Sequence, residues 1–184
     1  PPVIFAALHP DDGVQGELAA NANALTQLRL THRSSKLERY TLEFSHLLVR
    51  LMHDPSVRVA PLACAAAERL GFPAAKVIER SRPKAPDTDV IGGLLSPACY
   101  IEHSLPAVLY LAARYPDDFE AALVANTNVG GDNCHRGVVL GALLGAHGGM
   151  EAVPPAWITG LYDYRHCREL FSRLAEAAGS RKRD

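Results

Sequence analysis

Between Leu37 and Leu51, apolar side chains return every three or four residues, at Leu37, Tyr40, Phe44, Leu47, Leu48 and Leu51, with Lys, Glu and Arg between them. That period matches the turn of an α-helix and sets one dry stripe against one wet one. A dry stripe needs a partner surface, so the chain has to fold by packing helices on helices or on a sheet. Ser34 and Ser35 stand where this helix needs an N-cap.

The rest of the chain repeats the helical choice. Val14, Leu18, Ala22, Leu25 and Leu28 predict a helix over 13–30, with Asp11 or Asp12 as its cap. Asp54-Pro55 breaks the chain, and an alanine-rich helix over 57–70 is stopped by Gly71 and Pro73. A short helix around Ala74 to Ile78 precedes residues 80–97, where three prolines and a Gly-Gly pair predict a surface loop. Ser104 reads as the cap of another helix with Pro106 in its first turn, and Pro116, Asp117 and Asp118 open the next. Trp157 reads as a core anchor for the last helices. No stretch alternates as a strand does, so the predicted class is all-α.

A chain of 184 residues, 48% of them hydrophobic, is enough for one core, and a single helical domain over 1–184 is expected. A net charge of −1 gives no basis for binding nucleic acid or an anionic membrane. The basic end at Arg181, Lys182 and Arg183 is too short to alter that. The apolar run Val138 to Ala146 is about half the length a membrane helix needs. Cys64, Cys99, Cys134 and Cys167 are too sparse for a disulfide scaffold, which predicts a reduced, cytoplasmic protein. The start Pro1-Pro2, with neither Met nor leader, reads as a cut chain, the C-terminal part of a longer domain.

The chemistry concentrates in "NTNVGGDNCHRGVVLGALLGAHGG", from Asn126 to Gly149. Gly130 and Gly131 allow positive φ and close approach of backbone, and Asp132 stands at the start of a helix whose Gly137, Gly141 and Gly145 leave one face nearly bare. An acid at a helix start beside a glycine turn suits two roles equally, as a cap or as a holder of a hard cation or phosphate.

This stretch resembles the C-terminal signature of the ADP-ribosylglycohydrolase family, Gly-Gly-Asp-Thr-Asp-Thr followed by a glycine-rich helix. The similarity extends to "ACYIEHSLPAVLYLAARYPDDFEAALVANTNV", "RLTHRS" and "VPPAWITGL", or roughly Val14 to Leu161. The resemblance implies an all-α orthogonal bundle that uses paired magnesium ions to cleave a glycosidic bond to ADP-ribose on a small molecule or protein. It makes Asp132 a metal ligand, with Cys134 at the second acid and His135 at the adjacent threonine. It places His32 and Tyr100 at the ADP-ribose site. By their own chemistry Gly130 and Gly131 let backbone approach such a ligand, and Arg136 suits a pyrophosphate bidentately, although a solvent-facing or Asp-paired Arg136 fits the sequence equally. No Thr-Asp-Asp motif occurs; Asp11-Asp12 sits too close to the Thr-His segment, and Pro1 to Leu8 resembles the helix after that motif. Sulfur and nitrogen at Cys134 and His135 suit magnesium poorly. They leave a second reading open, a catalytically inactive module that binds ADP-ribose or a nucleotide.

Overall fold

The computed structural model describes residues 13–80 and 86–179. Among these residues the chain is helical, with a single isolated bridge between Ile91 and Leu95 and no strand, so the all-α class holds. Asp11, Asp12, the Pro1 to Leu8 segment and the Arg181 to Arg183 end lie outside the described residues. The described residues gather into two compact units, those up to His53 with those from Val153 onward, and those between Asp54 and Ala152.

In the first unit, α1 (Gly13–Arg29) packs on α2 (Ser35–His53). The connection is short, which turns the second helix back along the first. The face α1 buries is made of Gly16, Ala20 and Ala24, small residues one helical turn apart. Leu18, expected on the dry face, is 58% exposed, because the helices approach on the small-residue side and Leu18 falls on the opposite one. On α2, Tyr40, Leu47, Leu48 and Leu51 are buried as their spacing predicts. The Ser34 hydroxyl accepts from the Leu37 N–H at 3.4 Å, so Ser34 is the cap. His46 to Glu17 at 2.7 Å and Arg29 to Glu38 at 2.8 Å tie the ends of the pair. This unit also contains α8 (Pro155–Thr159) and α9 (Tyr164–Gly179). Trp157 on α8 is 41% exposed, which removes it from the core.

The second unit consists of α3 (Val59–Arg69), α4 (Ala74–Arg80), α5 (Ile101–Arg114), α6 (Phe119–Val129) and α7 (Asn133–Gly148). Every residue of α5 from Leu105 to Ala113 is buried, and α3, α4, α6 and α7 all pack on it. A helix apolar on all sides can only be central. Burying each of its Leu and Val side chains contributes roughly 1.5–3 kcal/mol. Against it α3 presents Ala63, Ala66 and Ala67, small enough to bring the two backbones close. The end of α3 follows the glycine signal: Gly71 takes φ 90°, its N–H reaches Glu68 O at 2.9 Å, and the Phe72 N–H reaches Ala67 O at 2.8 Å. Those two bonds satisfy carbonyls that a helix end otherwise leaves open.

Three local expectations change here. Helix α5 starts at Ile101 on the N-cap Tyr100, so Ser104 is inside the helix and Pro106 lies beyond its first turn, buried. Helix α6 is capped by Asp118, whose carboxylate accepts from the Ala121 N–H at 2.8 Å, while Pro116 and Asp117 precede the helix. Within the expected surface loop, residues 81–85 lie outside the described residues, but Val90, Ile91 and Leu95 are buried. A 3-10 turn at Asp87–Asp89 places them there. The Asp87 carboxylate accepts from the Tyr110 hydroxyl at 2.9 Å, the Tyr115 hydroxyl at 2.8 Å and Arg114 Nε at 3.0 Å. Burial, then the Asp87 hydrogen bond, pushes the Tyr110 phenol above its ordinary range.

Candidate functional site

The glycine turn between α6 and α7 is built from two consecutive left-handed residues, Gly130 at φ 73° and Gly131 at φ 63°. A β-carbon on Gly131 would stand 2.3 Å from the Pro97 carbonyl oxygen, so the position excludes any side chain by space as well as by backbone angle. Pro97 presses there because its carbonyl accepts from the Asp132 N–H at 2.9 Å. Since Pro97 lies just ahead of α5, this bond holds the approach to α5 against the N-terminal end of α7.

Arg136 locks the arrangement from below. It is fully buried, and its Nε donates to Asn126 Oδ1 at 3.1 Å, its Nη1 to Pro97 O at 2.7 Å and its Nη2 to Gly130 O at 2.5 Å. Asn126, 1% exposed, returns its amide N–H to Asn133 O at 2.8 Å. One guanidinium thus joins α6, the glycine turn and the segment before α5. Burial lowers the Arg136 pKa, and the nearby Asp132 charge opposes that shift. A pyrophosphate-pairing or solvent-facing Arg136 is not what this geometry offers: the side chain has no exposure, and its Nε, Nη1 and Nη2 each already donate to an oxygen of the chain.

Asp132 begins α7 but does not cap it with its side chain. Its Oδ1 instead meets His135 Nδ1 at 2.5 Å. The carboxylate side chain is 20% exposed and the imidazole 83% exposed, so the ring stands on the solvent side of the acid. Cys134 is exposed and stands apart from this pair, its thiol 3.5 Å from Asn133 Oδ1. The bare face of α7 meets α6: a β-carbon on Gly137 would stand 3.3 Å from Asn126 Nδ2, and one on Gly141 3.8 Å from Phe119, while the space at Gly145 is open.

Tyr100 is 63% exposed at the N-cap of α5, a few residues after the Pro97 carbonyl that Asp132 and Arg136 share. His32 belongs to the first unit, exposed just past the end of α1, with Nδ1 2.8 Å from the Thr31 hydroxyl. Sequence reasoning missed Asn126. Its signal was a polar residue inside "LVANTNV", at the position that faces Gly137 across the helix pair.

The metal expectation meets this donor set poorly. Magnesium takes oxygen in near-octahedral geometry. The three candidates offer one carboxylate, already on an imidazole, with a thiol turned elsewhere. Among the described residues, no group of three His, Cys, Asp or Glu side chains is placed to hold a metal ion.

The helical class, the paired positive-φ glycines and the acid at the head of a glycine-faced helix all agree with the signature that the sequence carries. No protein of curated function matches the chain. The match to the ADP-ribosylglycohydrolase family runs over residues 1–184, and the chain belongs to that family.

Proposed function

We propose that the turn from Gly130 to Asp132, together with Tyr100 at the head of α5, receives the ADP-ribosyl group of an ADP-ribosylated small molecule or protein. The reaction in this reading is hydrolysis of the N- or O-glycosidic bond at the anomeric carbon of the ribose. Family membership supports a hydrolase of this type. The observation that carries the site is the geometry of the turn. Two side-chain-free residues expose backbone beside an acid at a helix start, where amide N–H groups and the helix dipole favour phosphate oxygens. Arg136 acts here by holding the turn and the Pro97 segment in register. His32 belongs to the same reading as a residue of the ADP-ribose site. A cytoplasmic location rests on the four free cysteines.

The family is generally metal-dependent. Of the three metal candidates only Asp132 offers magnesium an oxygen, with Cys134 and His135 as unsuitable companions, so no chemical step is routed through a metal ion. The same two residues favour a second reading, an ADP-ribose-binding module without turnover.

Calorimetry with free ADP-ribose, paired with a release assay on ADP-ribosylated side chains, separates these readings. Binding with release of ADP-ribose supports the hydrolase, and binding without release supports the module. Absence of heat at millimolar ligand sinks both.

A further inference from the structure

The oxygens that line the start of α7 already have hydrogen-bonding partners supplied by the chain itself. The Asp132 carboxylate lies 2.5 Å from His135 Nδ1. The two backbone carbonyls beside it, Pro97 O and Gly130 O, accept from the Arg136 guanidinium at 2.7 and 2.5 Å. A hard cation bound here would use the same atoms, a carboxylate oxygen and neighbouring carbonyls. The Oδ1 atom of the carboxylate and both carbonyls already have partners, and the guanidinium is fully buried and cannot be lifted away without leaving three acceptors open. The remaining side chains do not replace them, since the Cys134 thiol is turned to Asn133 and both sulfur and imidazole suit softer metals.

We propose that the His135 imidazole stands against the Asp132 carboxylate in the place of a divalent cation, so that this turn works without a metal ion at Asp132. The ring covers the carboxylate from the solvent side, which its 83% exposure against 20% for Asp132 makes visible. The backbone of Asp132 is held by Pro97, so the acid stays where the ring meets it. A short hydrogen bond between imidazole and carboxylate is of the strong, charge-assisted kind. The part of this inference that concerns ADP-ribose rests on the proposed function; the part that concerns the cation stands by itself.

The test uses Mn2+ as the probe, with uptake read from the electron paramagnetic resonance of the free ion. The wild-type chain, Asp132→Ala and the near-isosteric Asp132→Asn are compared, each first shown folded by circular dichroism. The three are expected to take up Mn2+ with affinities within about twofold of one another. His135→Thr uncovers the carboxylate and is expected to gain about tenfold in affinity, a gain that Asp132→Asn in the same background removes. Wild-type uptake that falls about tenfold in Asp132→Asn would overturn the proposal, as would a His135→Thr chain that takes up no more Mn2+ than wild type. In a second arm, the ADP-ribose Kd in EDTA and in magnesium is expected to agree within about twofold, and a Kd that depends on magnesium contradicts the proposal. If ADP-ribose binds under neither condition, the functional reading fails while the Mn2+ comparison still decides this one.

Discussion

Asp87 and Asp132, both in the second unit, each have an arginine nearby, and they are used in opposite ways. Asp87 is saturated: two phenols and Arg114 converge on its carboxylate, and the pair is 10% and 12% exposed. At Asp132 the arginine ignores the carboxylate and binds carbonyls, leaving the acid with an exposed histidine as its side-chain partner. A carboxylate whose acceptors are filled from inside the protein is architecture, here pinning the 3-10 turn and the buried Val90, Ile91 and Leu95 onto α5. A carboxylate held near the surface by its backbone, with its flanking arginine committed to shaping the turn, is left to a surface partner, here the His135 ring.

Substitutions test that contrast, beginning with the arginine under the turn. Arg136→Met removes a buried cation from three acceptors, and denaturant unfolding is expected to show a loss of roughly 3–5 kcal/mol. A loss below about 1 kcal/mol would mean the clasp does not hold the turn. Asp87→Ala leaves two phenols and Arg114 without their shared acceptor, with an expected cost of about 2–3 kcal/mol in the same measurement.

The alkaline limb sharpens the comparison further. Because the folded-state pKa of Tyr110 is raised, the unfolded chain loses its phenolic proton first, and stability is present below about pH 10 and lost above it. Tyr110→Phe is expected to reduce that alkaline loss in thermal melts taken from pH 8 to 11, and an unchanged slope would show that Tyr110 is not the group responsible. Least affected in stability is Asp132→Asn, at about 0.5 kcal/mol or less, as for surface substitutions generally. A cost there as large as that of Asp87→Ala would erase the distinction between the two acids.

Much of the second unit was legible locally. Gly71 ends α3 as its sequence signal says, the glycine pair takes positive φ, and Gly137 and Gly141 admit α6 closely. Periodicity was sound where one face was strongly apolar, as on α2, and misleading on α1, where Gly16, Ala20 and Ala24 form the contact while Leu18 points away. Hydropathy counts large apolar residues and overlooks small ones, although small ones allow the closest backbone approach. The segment after residue 85 departs from the predicted surface loop for a related reason: its prolines and glycines announce turns, but they carry no information about Asp87 reaching across to Tyr110, Tyr115 and Arg114.

The sequence by itself determined that this chain is helical, where most of its helices lie, and, through the glycine and acid motif, the family to which it belongs. Those features depend on neighbours within a turn or two of the chain. Only the tertiary structure decided that Arg136 points inward to carbonyls, that Pro97 seats the glycine turn, and that His135 meets the Asp132 carboxylate while Cys134 does not. A long polar side chain chooses its partner among groups distant in sequence, by which of them folding brings within hydrogen-bond reach and how much water remains there.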